Sequence, residues 1–256
     1  MNSRWGFAGV MIGLGIVGLV TGHFTPTWSG VPAGLPGRTA LAYVCALVSL
    51  GCGVALVWPG QQYFAAVASR LLLAFFALWF VLFRVPPVLK DPTSSGNWWG
   101  CGESAVMGAA AWVLYARFNS GFATGERGVR IARMLLGLGV IPFGIAHFTF
   151  LERTVSLVPG YLPGHLAWAY FTGGAFIAAG LGVLTGIYPR LAATLLLVQL
   201  VLFTLLVWVP ILLGTPTASD WSEFIQSCAL TAAVWVVAET YRGMPWLAVP
   251  FGRRGS

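Results

Sequence analysis

The sequence predicts an all-α integral membrane protein of eight transmembrane helices, arranged as two parallel four-helix repeats. Three observations predict it. The first is composition: of 256 residues, 58% are hydrophobic and 8% charged, with a mean hydropathy of +0.83, whereas soluble chains carry about a quarter charged residues. The second is segmentation. Eight apolar runs, at about 5–22, 39–58, 63–84, 101–116, 131–148, 166–186, 190–213 and 222–240, are separated by short turn-rich pieces such as WPGQQ, KDPTSSGN and GTPTASD. About 20 apolar residues suffice for a helix to cross a bilayer. The third is self-similarity: HFT stands at 23–25 and again at 147–149, and GLG at 13–15 and again at 137–139.

In chain order, the first run follows Arg4 and could be a secretory signal, but it has no A-x-A-like cleavage site and it matches a later run, so it reads as a retained span. Within it GLGIVG (13–18) fits the dinucleotide pattern G-x-G-x-x-G. No strand precedes it and the second copy reads GLGVIP, so the glycines are expected to serve helix packing. The same expectation holds for Gly174, Ala178, Gly182 and Gly186, spaced four apart along the sixth run. In the third run LLLAFFALWFVLF is apolar on every face, which excludes the alternating pattern of a membrane β-barrel.

After HFT the repeat continues: VPAGLPG (31–37) matches VPGYLPG (158–164) after a three-residue insertion. Ala42-Tyr43 matches Ala169-Tyr170, Val85-Pro86 matches Val209-Pro210, Trp98 matches Trp221, and Trp112-Val113 matches Trp235-Val236. The predicted division is a first four-helix repeat at 1–117, a basic linker at 118–129, a second repeat at 130–242 and a tail at 243–256. Four spans per half, an even number, give both halves one orientation.

The net charge of +7 is placed asymmetrically. Arg4, Arg70, Arg117, Arg127, Arg130, Arg133, Arg190, Arg242, Arg253 and Arg254 fall near one set of helix ends, and Arg38, Arg84, Lys90 and Arg153 near the other. This positive-inside bias predicts cytoplasmic termini. It makes anionic lipid the expected partner, with no nucleic acid.

The polar chemistry gathers at the outer ends. His23 and His147 close the first and fifth runs, and each has two readings: a histidine bonding the last free carbonyls of a helix, or the wall of a ligand pocket. No H-x-x-x-H or E-x-x-H spacing supports a metal site, and none is expected. Glu103 is either a carboxylate facing a wet cavity or a solvated acid at a helix N-terminus, whereas Glu223 favours the second reading. Arg84 can pair with Glu103 or Glu223, or snorkel to headgroups. Trp98, Trp99 and Trp221 complete the candidate ligand-binding set. Pro32 and Pro36, with Pro159 and Pro163, break any helix and predict two surface-hugging or re-entrant lids roofing an outer vestibule. Cys45, Cys52, Cys101 and Cys228 include no C-x-x-C, and no catalytic residue is assigned.

The pattern of a helix ending in HF, a VPxxLPG loop, AYFTGGAFIAAG (169–180), PRLAATLL (189–196), a Trp near an acidic or amide residue and AAVWVVA (232–238) resembles the DoxX-like family of small bacterial membrane proteins. The family has four helices per unit, and this chain is similar to two units fused. The resemblance implies the bacterial inner membrane and an association with sulfur, thiol or quinone redox chemistry. It thus gives an expected small lipophilic ligand, a quinone first, and a redox partner protein carrying the electrons. The alternatives are a small-molecule transporter and a membrane scaffold. Related single units are associated with a histidine midway along the second helix, where this chain has Phe176, so no role for that imidazole carries over.

Overall fold

The computed structural model describes residues 2–60 and 62–249, so Arg253, Arg254 and the end of the predicted tail lie outside the described residues. Those described residues are helical, with no strand among them. Helix α1 (Asn2–Thr21) ends where Gly22 turns left-handed at φ +66° and its N–H donates to the Gly18 carbonyl. A 3-10 turn, Pro26–Trp28, follows. Helix α2 (Arg38–Val57) starts after the left-handed Gly37, and α3 (Gln62–Trp79) runs back through the bundle.

At Phe80–Arg84 the α3 ladder widens into a π-helical turn before α4 (Val85–Lys90). Pro86 and Pro87 supply the reason: neither has an N–H to donate, and their rings crowd the carbonyls one turn back. A one-residue bulge relieves that crowding. The second half repeats the device, with α9 (Pro189–Leu202) passing through a π turn at Phe203–Trp208 into α10 (Val209–Leu213), which carries Pro210.

Between these, α5 (Ser95–Phe118), α6 (Gly125–Thr149), the short α7 (Leu151–Leu157) and α8 (His165–Thr185) follow in order. Helix α11 (Ala218–Ala238) is opened by a Thr217/Asp220 capping box, in which each side chain bonds the other residue's backbone.

Among the described residues seven helical segments are long and apolar enough to cross a membrane: Ser3–Thr21, Arg38–Val57, Gln62–Lys90, Gly125–Thr149, His165–Thr185, Pro189–Leu213 and Ala218–Tyr241. The chain therefore has the form of a multi-pass membrane protein. Helix α5 is as long as these but is not among them. It is rich in Gly, Ala and Ser, and most of its residues, Val106 to Ala111 and Val113 among them, are buried. A helix surrounded by protein needs no apolar exterior, because no lipid touches it. Pro189–Leu213 shows the converse: it is the most apolar of the seven, and 11% of its stretch is buried, against 50% for Ala218–Tyr241.

The helices close a ring. In each half, successive long helices pack side by side: α1 on α2, α2 on α3, α3 on α5, and likewise α6 on α8, α8 on α9, α9 on α11. The halves meet through α5 on α6 and α1 on α11, and α5 touches α11 across the middle. Small residues permit the close crossings. A Cβ on Gly15 would lie 2.6 Å from the Leu50 backbone nitrogen, and one on Gly144 would lie 2.5 Å from the Gly173 carbonyl.

Gly15 and Gly18 of GLGIVG thus pack against α2. The stripe on the sixth run is different. Gly182 does pack closely, since a Cβ there would lie 2.9 Å from Ala192 Cβ, but Gly174 and Ala178 are exposed and Gly186 caps the helix, while Gly173, Phe176 and Gly180 face inward. A four-residue spacing advances about 40° per step around a helix, so a stripe of four drifts off any one interface.

The two proline loops lie at the surface, and Pro32 lines a cavity there. Pro32, Pro36 and Pro163 are exposed and Pro159 half-buried. Both loops fold as tight turns, with the N–H of Leu35 donating to Pro32 and that of Leu162 to Pro159. In the first half it is the preceding TPTWS that enters the core. Trp28 is 1% exposed, stacks on Phe76 at 4.7 Å and donates its indole N–H to the Ser49 hydroxyl at 2.9 Å.

Candidate functional site

The end of the bundle opposite the N-terminus, termed distal, gathers the polar side chains. The π turn positions the first of them. Arg84 lies about 9 Å before the end of the α3–α4 rod, at 1.5 Å per residue, and the guanidinium points inward: the residue is 8% exposed. Its Nε donates to the Ser104 hydroxyl at 3.0 Å and its Nη2 to the Ser29 hydroxyl at 3.0 Å. The Nη2 is also 3.8 Å from Glu103 Oε2.

Glu103 sits two turns into α5, where its other oxygen accepts the Trp99 indole N–H at 2.9 Å. Gln226 of α11 adjoins it. The Gln226 Oε1 accepts from the Thr27 hydroxyl at 3.1 Å, and its Nε2 is buried. Glu103 and Gln226 are equivalent in the tryptophan register, so the two halves meet on this pair of positions.

Two adjoining cavities open over the cluster. One, of about 110 Å³, is lined by Gly30, Phe83, Arg84, Gly96, Asn97 and Gly100. The other, of about 180 Å³, is apolar apart from Lys90 at its edge and is lined by Leu82, Phe83 and Pro86 among others. They share Gly30, Phe83 and Pro87. A Cβ on Gly100 would stand 2.7 Å from Arg84 Nη1 and one on Gly30 3.1 Å from it, so these glycines make the room the guanidinium occupies.

The histidines part company. Helix α6 runs two residues past His147, which is 7% exposed and places Nδ1 2.7 Å from the Phe143 carbonyl oxygen. Its ring lies among Trp99, Phe176 and Phe203, with centroids 6.3, 5.2 and 6.0 Å away. His23 is exposed, beyond the end of α1. The cause is one residue: the first copy reads Gly22-His23 and the second Ala146-His147, and the glycine terminates its helix where the alanine continues.

Of the other candidates, Trp98 is 45% exposed and donates its indole N–H to the Pro92 carbonyl at 2.8 Å. Trp221 is 48% exposed, against Phe224. Glu223 pairs with Arg153 at 3.6 Å, both partly in solvent. Asp91, beyond the α4 end, accepts the Thr93 hydroxyl at 2.7 Å and the Thr93 N–H at 3.1 Å, which hold its carboxyl below the usual range.

The structure thus brings together Arg84, Glu103, Trp99 and His147, and leaves His23, Trp98 and Trp221 outside. Ser29, Ser104, Gly30, Gly96 and Gly100 join the site without having been singled out from the sequence. The signal for the last two was present: glycines four apart on one face of the first turns of α5, flanking two tryptophans, mark a groove. Among the described residues no cluster of three or more metal-ligating side chains occurs. No protein-family model, curated protein or solved structure matches the chain.

Proposed function

We propose that the chain is a bacterial inner-membrane protein of DoxX-like type, two four-helix units in tandem crossing the membrane eight times, that holds a small lipophilic molecule at its distal, outer face. The tandem reading is supported by the same helix order in both halves, by left-handed Gly37 and Gly164 at the starts of α2 and α8, and by the paired π turns. Cytoplasmic termini are supported by the arginines at the opposite end, where Arg4, Arg133 and Arg190 lie over the rings of Trp5, Tyr241 and Trp246.

The ligand reading rests on one observation: a buried guanidinium, tied to Glu103, Ser29 and Ser104, borders a small cavity that adjoins a second, more apolar one. Ligand sites typically combine an apolar wall with a few fixed polar groups. A quinone fits that description, with a carbonyl oxygen accepting from Arg84 and the ring beside Phe83. The chain would then serve as a redox accessory, with a partner protein carrying the electrons. Native mass spectrometry of gently solubilised protein tests this: a stoichiometric lipophilic molecule is expected, and added quinone analogue should quench tryptophan emission. Neither a bound molecule nor quenching on titration would sink the reading.

A further inference from the structure

Arg84 has three nitrogens, and two of them are accounted for by Ser104, Ser29 and Glu103. The third, Nη1, donates no hydrogen bond to the described residues and lies against Gly30 and Gly100, both of which line the 110 Å³ cavity. The wall of that cavity is also the first turns of α5, through Gly96, Asn97 and Gly100. The start of a long helix carries a partial positive charge, and in α5 the Ser94 cap accepts the Asn97 N–H, so the N–H groups of Ser95 and Gly96 are the leading ones. A buried guanidinium edge and a helix N-terminus therefore face the same small volume.

No carboxylate lines it. Glu103 lies on the Nη2 side of the guanidinium with one oxygen held by Trp99, and Asp91, beyond α4, is turned to Thr93. The glycines expose backbone and keep the volume clear. Next to it the apolar compartment runs along Leu82 and Pro86, both on the α3–α4 rod, with Lys90 adding a second cation at its edge.

We propose that this two-part pocket binds an acidic amphiphile, an oxyanion head against Arg84 Nη1 and the start of α5 with its apolar tail along Leu82 and Pro86. The inference rests on the lipophilic-ligand reading above and narrows it from a neutral carbonyl compound to an anion. The head can be the carboxylate of a fatty acid or the phosphate of a phospholipid, since both present the same charged acceptor to the same donors.

The test uses the full chain in a non-ionic detergent and titrates dodecanoate, its methyl ester and dodecyl phosphate by isothermal calorimetry. The acid is expected to bind with one site per chain and the ester at least about tenfold more weakly, because the charge-assisted bond is lost. Arg84→Gln should abolish that preference. Because removing Arg84 leaves Glu103 buried and unpaired, a second variant is needed. Gly96→Leu fills the cavity from a position where a Cβ meets only Ser94 Oγ, at 3.8 Å, and it should weaken the acid at least about tenfold with the Arg84 cluster intact. Tighter binding of the phosphate than of the dodecanoate assigns the site to phospholipid, and the reverse assigns it to fatty acid. Equal binding of acid and ester overturns the anion site while leaving a lipophilic pocket, whereas no binding of any of these or of a quinone analogue overturns both.

Discussion

At the scale of single residues the decisive feature is the ion pair of Arg84 and Glu103, at 3.8 Å and with 9% and 13% of the side chains exposed. A buried charge is tolerable because it is paired and hydrogen-bonded, and removing one member strands the other. Arg84→Gln and Glu103→Gln are each expected to lower the unfolding free energy by about 3 kcal/mol. The double variant should fall short of the sum by about 1 kcal/mol or more, the signature of direct coupling. Reversible denaturation in mixed micelles measures all four corners of that cycle. Additive losses would mean that the two charges act independently and that the serines alone hold the guanidinium. The pair also explains an asymmetry between the halves: at the equivalent positions stand Trp208 and Gln226, both buried and uncharged, so the charged site is built once.

At the scale of elements, helix ends decide where side chains go. The HFT tripeptide occurs twice, yet one histidine is exposed and the other sits among aromatic rings. The preceding residue, Gly22 or Ala146, sets the difference by ending or continuing the helix. Gly22 has φ +66°, and a Cβ there would stand 3.0 Å from the Tyr43 hydroxyl. Gly22→Ala is therefore expected to cost about 1–2 kcal/mol through left-handed strain, seen as a lower melting temperature in detergent. Gly22→Asn, a residue that tolerates a left-handed φ, should lose less than Gly22→Ala, and a loss of equal size in both would refute the assignment. The π turns obey the same logic, since each precedes a Val-Pro pair, and the first carries Arg84 at its end. Pattern matching found the prolines but not their consequence, because a bulge is a response of backbone to a missing donor and leaves no letter of its own.

At the scale of the whole molecule the open quantity is the number of crossings. Among the described residues seven segments qualify by length and apolarity, and α5, the eighth long helix, completes the ring between α3 and α6 and touches α11 across the middle. If α5 crosses, the number is even and both termini face the same side. Reporter fusions at the two ends are expected to place both in the cytoplasm, where the arginine-rich end belongs. Termini on opposite faces would give seven crossings and dissolve the parallel repeat.

By itself the sequence determined the helical, membrane-type character, the long helical stretches to within about two turns, and the residue types of the site, Arg84, Glu103 and Trp99. These follow from local properties: apolar runs set by the bilayer's thickness, turn residues set by φ, and ionisable groups too rare to overlook. The tertiary structure alone decided which of them meet. Glu103 and Gln226 lie more than a hundred residues apart and come together because α5 and α11 cross at the centre of a closed ring, and Ser29 reaches Arg84 only because TPTWS dips into the core. Arg84 could snorkel or pair as far as its position in the chain was concerned. The widened turn and the two glycines that leave room for its guanidinium settled the matter inward, and such choices belong to packing, where neighbours distant in sequence compete for the same volume.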